Sequence, residues 1–180
     1  MSHASHYAKA GISWYNNFVT AELTEIQRHP SGNNNPYGTG NTAESPIIAV
    51  GEGWAYFIGL FLANQKYNIE PGTVRGCSNF ILQEGGVRDW AGITLESFDP
   101  RLSTDPFRWI PAGLMEDMRD ANNEPTSPVI DGVSNFTIQQ LFNPLQSDVS
   151  TIPAYRARLI QQNPNNQTAQ ITALFGQYNY

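Results

Sequence analysis

Apolar positions along this chain recur mostly at three- and four-residue spacing, the period of an amphipathic helix. The stretch from Ser45-Pro46 to Ala63 is almost wholly apolar, with Ile47, Val50, Trp54, Phe57, Ile58, Phe61 and Leu62 at helical spacing. Ser45 can cap that helix, and Pro46 suits its first position. Ile12 to Arg28 sets Trp14, Phe18, Ala21, Leu23 and Ile26 among polar residues and predicts a second helix. Residues 2–9 read as a helix that Gly11 interrupts, and His29 to Glu44 reads as a loop by composition. Further helices are predicted over 73–83, ended by Glu84-Gly85-Gly86, and from an Asp105 cap through Phe107, Ile110, Leu114 and Met118 to Asn122-Asn123. A short helix is expected over Ser134–Phe142. Thr151–Gln162 and Gln167–Phe175 should close the chain as a helical hairpin across Asn163-Pro164-Asn165-Asn166. Strand signals are sparse, so the expected fold is all-α, one multi-helix domain over residues 1–180 with no internal repeat.

The residue that stands out from this pattern is Glu52, in Val50-Gly51-Glu52-Gly53-Trp54. A carboxylate in so apolar a helix must be paired, hydrogen-bonded or metal-bound, because an isolated buried charge is very costly. Arg75 and Arg88 are possible partners. The flanking glycines each cost roughly 1 kcal/mol against Ala inside a helix, which suggests that another element comes very close. A histidine-bearing helix is the expected visitor. The chain opens Met1-Ser2-His3-Ala4-Ser5-His6-Tyr7, and His3 and His6, three apart, share a helix face.

Taken together, Ser2-His3-Ala4-Ser5-His6-Tyr7 and Gly51-Glu52-Gly53-Trp54, with Pro36-Tyr37-Gly38-Thr39-Gly40-Asn41-Thr42-Ala43-Glu44 between them, resemble a family of bacterial zinc metallopeptidases of the gluzincin type, often lipoproteins of Bacteroidetes. Weaker similarity extends into Trp109-Ile110-Pro111-Ala112-Gly113-Leu114 and Asp131-Gly132-Val133-Ser134-Asn135-Phe136-Thr137. Such enzymes carry His-Glu-x-x-His on one helix and a third ligand, Glu, on another. The resemblance implies that His3 is the second histidine of that motif, that Glu52 is the distant ligand, and that the cofactor is zinc. It implies a peptide or protein substrate and an exported or cell-surface location. The first histidine and the catalytic glutamate do not occur in the 180 residues. They are expected upstream of Met1, so no catalytic residue is assigned within this chain, which reads as the C-terminal part of a longer enzyme and is expected to be inactive as it stands. His6 and Tyr7 are auxiliary candidates at the metal, although His6 at three residues from His3 is not the motif's four-residue step, and Tyr7 is as readily a core residue. Asp117 or Asp120 could hold the free nitrogen of a zinc histidine, against the simpler reading of a solvated charged face with Glu116 and Arg119. The alternative function is a non-catalytic helical binding domain, with His3, His6 and Glu52 as a buried hydrogen-bond cluster.

Composition narrows the partners. A hydrophobic share of 40% with four tryptophans supports a core, and a net charge of −6 without a Lys/Arg run argues against nucleic acid. The single cysteine, Cys77, excludes an internal disulfide framework and a multi-cysteine zinc site. No apolar run reads as long enough to span a membrane, so no transmembrane segment is expected. Apolar surface left open by missing upstream residues could drive self-association. Trp14, Tyr15, Trp54 and Tyr56 are read as core aromatics, His29 as a helix C-terminal residue favoured by the dipole, and Asp131-Gly132 as a turn.

Overall fold

In a computed structural model of the chain, residues 2–29, 36–67, 109–111, 113–119, 132–164 and 167–180 are described. The fold is all-α, with seven helices and no strand among the described residues. Helix α1 spans Ser2–Ala10, α2 Ile12–Arg28 and α3 Ser45–Tyr67. Helix α4 spans Leu114–Arg119, α5 Ile138–Phe142, α6 Ile152–Gln162 and α7 Thr168–Gln177. The predicted helix over 73–83, the Asp105 start, the Asn122-Asn123 stop, Arg75, Arg88, Cys77, Asp120 and Asp131 lie outside the described residues.

Gly11 ends α1 and opens α2. Its φ of 85° lies where side chains are strained, and its N–H still donates to the Tyr7 carbonyl at 2.8 Å. Helix α3 starts at Ser45 as expected and runs past Ala63 to Tyr67. It is the central element, packed against α1, α2, α4 and α6. Ser45–Leu62 is long and apolar enough to cross a membrane by length and composition, contrary to the sequence reading, and 67% of it is buried against the rest of the fold.

Two downstream helices are shorter than their patterns. Helix α4 begins only at Leu114, although Ile110 continues the spacing. Gly113 accepts from Glu116 and Asp117 at its start, and Pro111 has no N–H with which to extend the helix backward. At its other end the Met118 and Arg119 carbonyls accept from Phe136 and Asn135, so the segment before the next helix supplies partners that this one lacks. Asn135 takes a left-handed φ of 68°, which keeps the predicted Ser134 start out of α5. That helix begins instead at a Thr137 capping box closed by Gln140. Thr151 caps α6, with Pro153 in its first turn, and α6 and α7 form the expected hairpin.

Aromatic residues join the chain's two ends in one core. Trp14 Nε1 donates to the Val149 carbonyl at 2.9 Å, and Trp54 Nε1 to Ser5 Oγ at 2.9 Å. Tyr155, fully buried, donates to the Leu141 carbonyl at 2.8 Å. Each bond satisfies a polar atom that burial would otherwise leave costly.

Candidate functional site

The site forms where α1, α2, α3 and the loop before α3 meet. Along α2 the buried residues are Trp14, Phe18, Ala21 and Glu25, spaced four, three and four. Leu23 and Ile26, two of the apolar positions that predict this helix, are 53% and 42% exposed. The inward face of α2 is thus aromatic at one end and acidic at the other.

Gly51 sets the register between α2 and α3. A Cβ there would lie 2.2 Å from Phe18 Cε2, and Phe18 is fully buried. The close visitor foreseen beside this glycine is therefore Phe18 of α2, not the histidine helix. Gly53 needs no such explanation, since its Cβ would meet Pro111 at an ordinary 3.6 Å. Glu22 lies one turn beyond Phe18, and Glu52 directly follows Gly51. The Phe18–Gly51 contact therefore brings the two carboxyls into hydrogen-bonding reach of each other.

Helix α1 crosses the same place. His3 Nε2 lies 3.3 Å from Glu52 Oε1, with the Glu52 side chain only 8% exposed. The His3 ring rests near Phe18, at 5.2 Å between centroids. From the loop, the Tyr37 hydroxyl points at Glu52 Oε1 from 3.5 Å and also hydrogen-bonds Glu22. Two carboxyls in contact cannot both be charged cheaply. Burial first, then the hydrogen bond and charge of Glu52, push Glu22 up to about 9, so Glu22 holds the proton at neutral pH. Burial, with the Glu52 and Glu22 charges, also raises the Tyr37 hydroxyl, which stays protonated as a donor.

The loop that carries Tyr37 is clamped from two sides. Gly38 has φ +70°, and a Cβ on it would sit 2.7 Å from His29 Nε2 and 2.8 Å from Glu25 Oε2. Trp109 Nε1 donates to the Gly38 carbonyl at 3.0 Å. Glu25, wholly buried, takes its charge partner from Arg28, which also reaches Glu44 Oε2 at 2.6 Å. His29 closes α2 as expected, its N–H donating to the Glu25 carbonyl and its ring turned toward Glu25 Oε2 at 3.6 Å.

The remaining sequence candidates fall elsewhere. His6 is 1% exposed, its ring tilted against Trp14 at 3.8 Å between centroids, with neither ring nitrogen hydrogen-bonded, so it is no member of a hydrogen-bond cluster with His3 and Glu52. Burial, with the nearby His3, lowers it to about 3. Tyr7 is 43% exposed and meets Tyr15 edge-on at 5.3 Å, so it is not the core residue it resembles in sequence. Asp117 accepts from Tyr178 at 2.7 Å. It and Glu116 are buried, the latter paired with Arg119, so this face is not the solvated one expected from its charges. Trp14 and Trp54 are buried core residues and Tyr15 and Tyr56 pack against the core, as read.

Sequence reasoning missed Glu22 and Tyr37. Glu22 could have been found as the glutamate four residues after Phe18, at the edge of an aromatic helix face. Tyr37 sits in a loop, where no periodicity points to a direction. No protein-family model, curated protein or solved structure matches this chain. Among the described residues no group of three or more His, Cys, Asp and Glu is arranged to hold a metal ion. The His3–Glu52 pair does fit as part of one. Two ligands at about 2.0–2.2 Å from a tetrahedral zinc have donor atoms about 3.3–3.6 Å apart, and the observed separation of 3.3 Å lies at the short end of that range.

Proposed function

We propose that this chain is the helical C-terminal part of a zinc-dependent metallopeptidase that hydrolyses peptide bonds, with His3 and Glu52 as two of its zinc ligands. The observation that carries this reading is the 3.3 Å approach of His3 Nε2 to Glu52 Oε1 across two helices that are separate in sequence. The remaining histidine and the general-base glutamate come, in this proposal, from residues preceding Met1. Zinc in such a site polarises the scissile carbonyl and lowers the pKa of a bound water.

The chain's own residues do the positioning. The Phe18 ring lies beside the His3 ring, 5.2 Å away between centroids, and limits its orientation. The protonated Glu22 carboxyl donates to Glu52 and orients it, as carboxylates around metal sites orient the ligands they touch. The Tyr37 hydroxyl supplies a further donor at Glu52 Oε1, the oxygen that His3 approaches. In the absence of metal these groups satisfy one another, which keeps Glu52 from being an unpaired buried charge.

The test is to read the gene upstream of Met1, then express the extended chain. An in-frame His-Glu codon pair directly before Met1, with stoichiometric zinc and peptide cleavage that Glu52→Gln abolishes, supports the proposal. A stop codon or unrelated residues there refutes it and leaves the non-catalytic helical binding domain as the reading of the self-satisfied cluster. The 180-residue chain alone is expected to hold zinc weakly and to cleave nothing.

A further inference from the structure

One flank of the exposed side of α2, next to the site, is an apolar strip, with exposed Ser13, Asn16, Asn17, Thr20 and Gln27 filling the rest of that side. Ile12, Val19 and Ile26 recur every seven residues, with Tyr15 and Leu23 on the same side. Ile12, Leu23 and Ile26 are 56%, 53% and 42% exposed, and Tyr15 and Val19 are partly buried. Tyr7 of α1 extends this strip through its edge contact with Tyr15. Tyr7 is also one turn from His3, and Glu22 is one turn from both Val19 and Ile26. The strip therefore runs directly along the His3–Glu22–Glu52 cluster. Scattered exposed apolar residues need no explanation, but a contiguous row ending at a candidate site does.

We infer that this face of α2 holds a short extended peptide with apolar side chains, laid beside the His3–Glu52 pair. The choice of a peptide rests on the peptidase reading; the choice of its chemistry rests on the strip itself. The charged residues of α2 are Glu22, Glu25 and Arg28 only. Glu25 is buried, Arg28 is paired with Glu25 and Glu44, and Glu22 is hydrogen-bonded to Glu52. A charged substrate side chain would find no partner along the strip, in a chain whose net charge is −6. Apolar side chains would cover surface that now meets water.

Dimensions favour a peptide over a folded partner or a second copy. Ile12 to Ile26 spans about 21 Å at 1.5 Å per residue, on a face about 10 Å wide. That is roughly a quarter of the ~800 Å² per partner in a standard protein pair. An extended chain covers about 21 Å in six or seven residues.

The probe is a blocked seven-residue peptide alternating leucine and serine, titrated into the metal-free 180-residue protein and followed by amide chemical shifts. Saturable binding is expected, with shifts concentrated on residues 12–26 and 3–7. A control peptide with aspartate in place of leucine should not bind. Leu23→Gln with Ile26→Gln, both on the exposed side and outside the core, should weaken binding about tenfold while leaving the far-ultraviolet circular dichroism unchanged. Absence of saturation to about 5 mM, shifts confined to another face, or equal affinity of the double variant would overturn the inference. So would a dimer in sedimentation that the same double variant abolishes, because the strip would then receive a second copy. The assay involves neither metal nor cleavage, so a missing His-Glu codon pair upstream and a failed titration are separate results.

Discussion

His6 makes the most direct test of how this core is built. Its imidazole is 1% exposed, lies against Trp14, and has no hydrogen-bond partner on either nitrogen. Burial, then repulsion from His3, lowers it from 6.5 to about 3. A base with a depressed folded value contributes stability that is present above 6.5 and lost progressively as pH falls toward 3, because the unfolded chain takes up the proton first. At 1.36 kcal/mol per unit, the penalty accumulated by about pH 5 is ~2 kcal/mol, a large part of a stability of about 5–15 kcal/mol. Glu22 acts in the opposite direction over the same range, so the raw stability curve of the native sequence mixes the two. The informative quantity is the difference between the native sequence and His6→Phe, which keeps a ring on Trp14 and removes the titration. Glu22 contributes equally to both proteins and cancels. Urea unfolding free energies at about pH 7.5 and about pH 5 should show that difference shifting by ~2 kcal/mol in favour of the variant at the lower pH. A difference that stays constant within about 0.5 kcal/mol would mean that His6 is solvated or paired, and would refute the reasoning.

Other expectations follow from the site and its supports. Glu22→Gln should remove a loss of stability that the native protein suffers as pH rises from 4.5 toward 9, because a raised carboxyl favours the fold only while the unfolded chain is also protonated; thermal melts above pH 6.5, where His6 no longer contributes, read it, and an equal loss with rising pH in the variant counts against the carboxyl pair. Gly51→Ala should destabilise by about 1–3 kcal/mol, since its Cβ would strike the buried Phe18 ring; chemical denaturation at the native level would show the α2–α3 approach to be looser. Thr137→Ala should cost about 1 kcal/mol by opening the capping box of α5, and an unchanged denaturation midpoint would argue that this short helix is held by packing alone.

Much of the architecture is legible from periodicity. The α1–Gly11–α2 break, the bounds of α2, the start of α3 and the closing α6–α7 hairpin all follow from apolar spacing, caps and turn residues, which act over a few neighbours. Glu52 was likewise visible, because a carboxylate among so many apolar neighbours needs a partner wherever the helix ends up. The sequence also marked Gly51 as a place of close approach.

Which partner arrived was decided only by the packing of helices distant in the chain. Leu23 and Ile26 are among the apolar positions that predict α2, yet the helix turns Glu25 inward and leaves those two in solvent, because Trp14, Phe18 and Ala21 choose the buried arc and Glu25 shares it. Helical repetition defines arcs but not which arc faces a neighbour. Likewise the backbone is non-helical at Ile110, Pro111 and Gly113 before α4 and left-handed at Asn135 before α5, constraints that apolar spacing does not register. The carboxyl of Glu22 and the hydroxyl of Tyr37 acquire meaning only through the Phe18–Gly51 contact and the clamped loop, which bring them to Glu52 from other elements. Local pattern determines the helices; contact between their faces determines the chemistry where they cross.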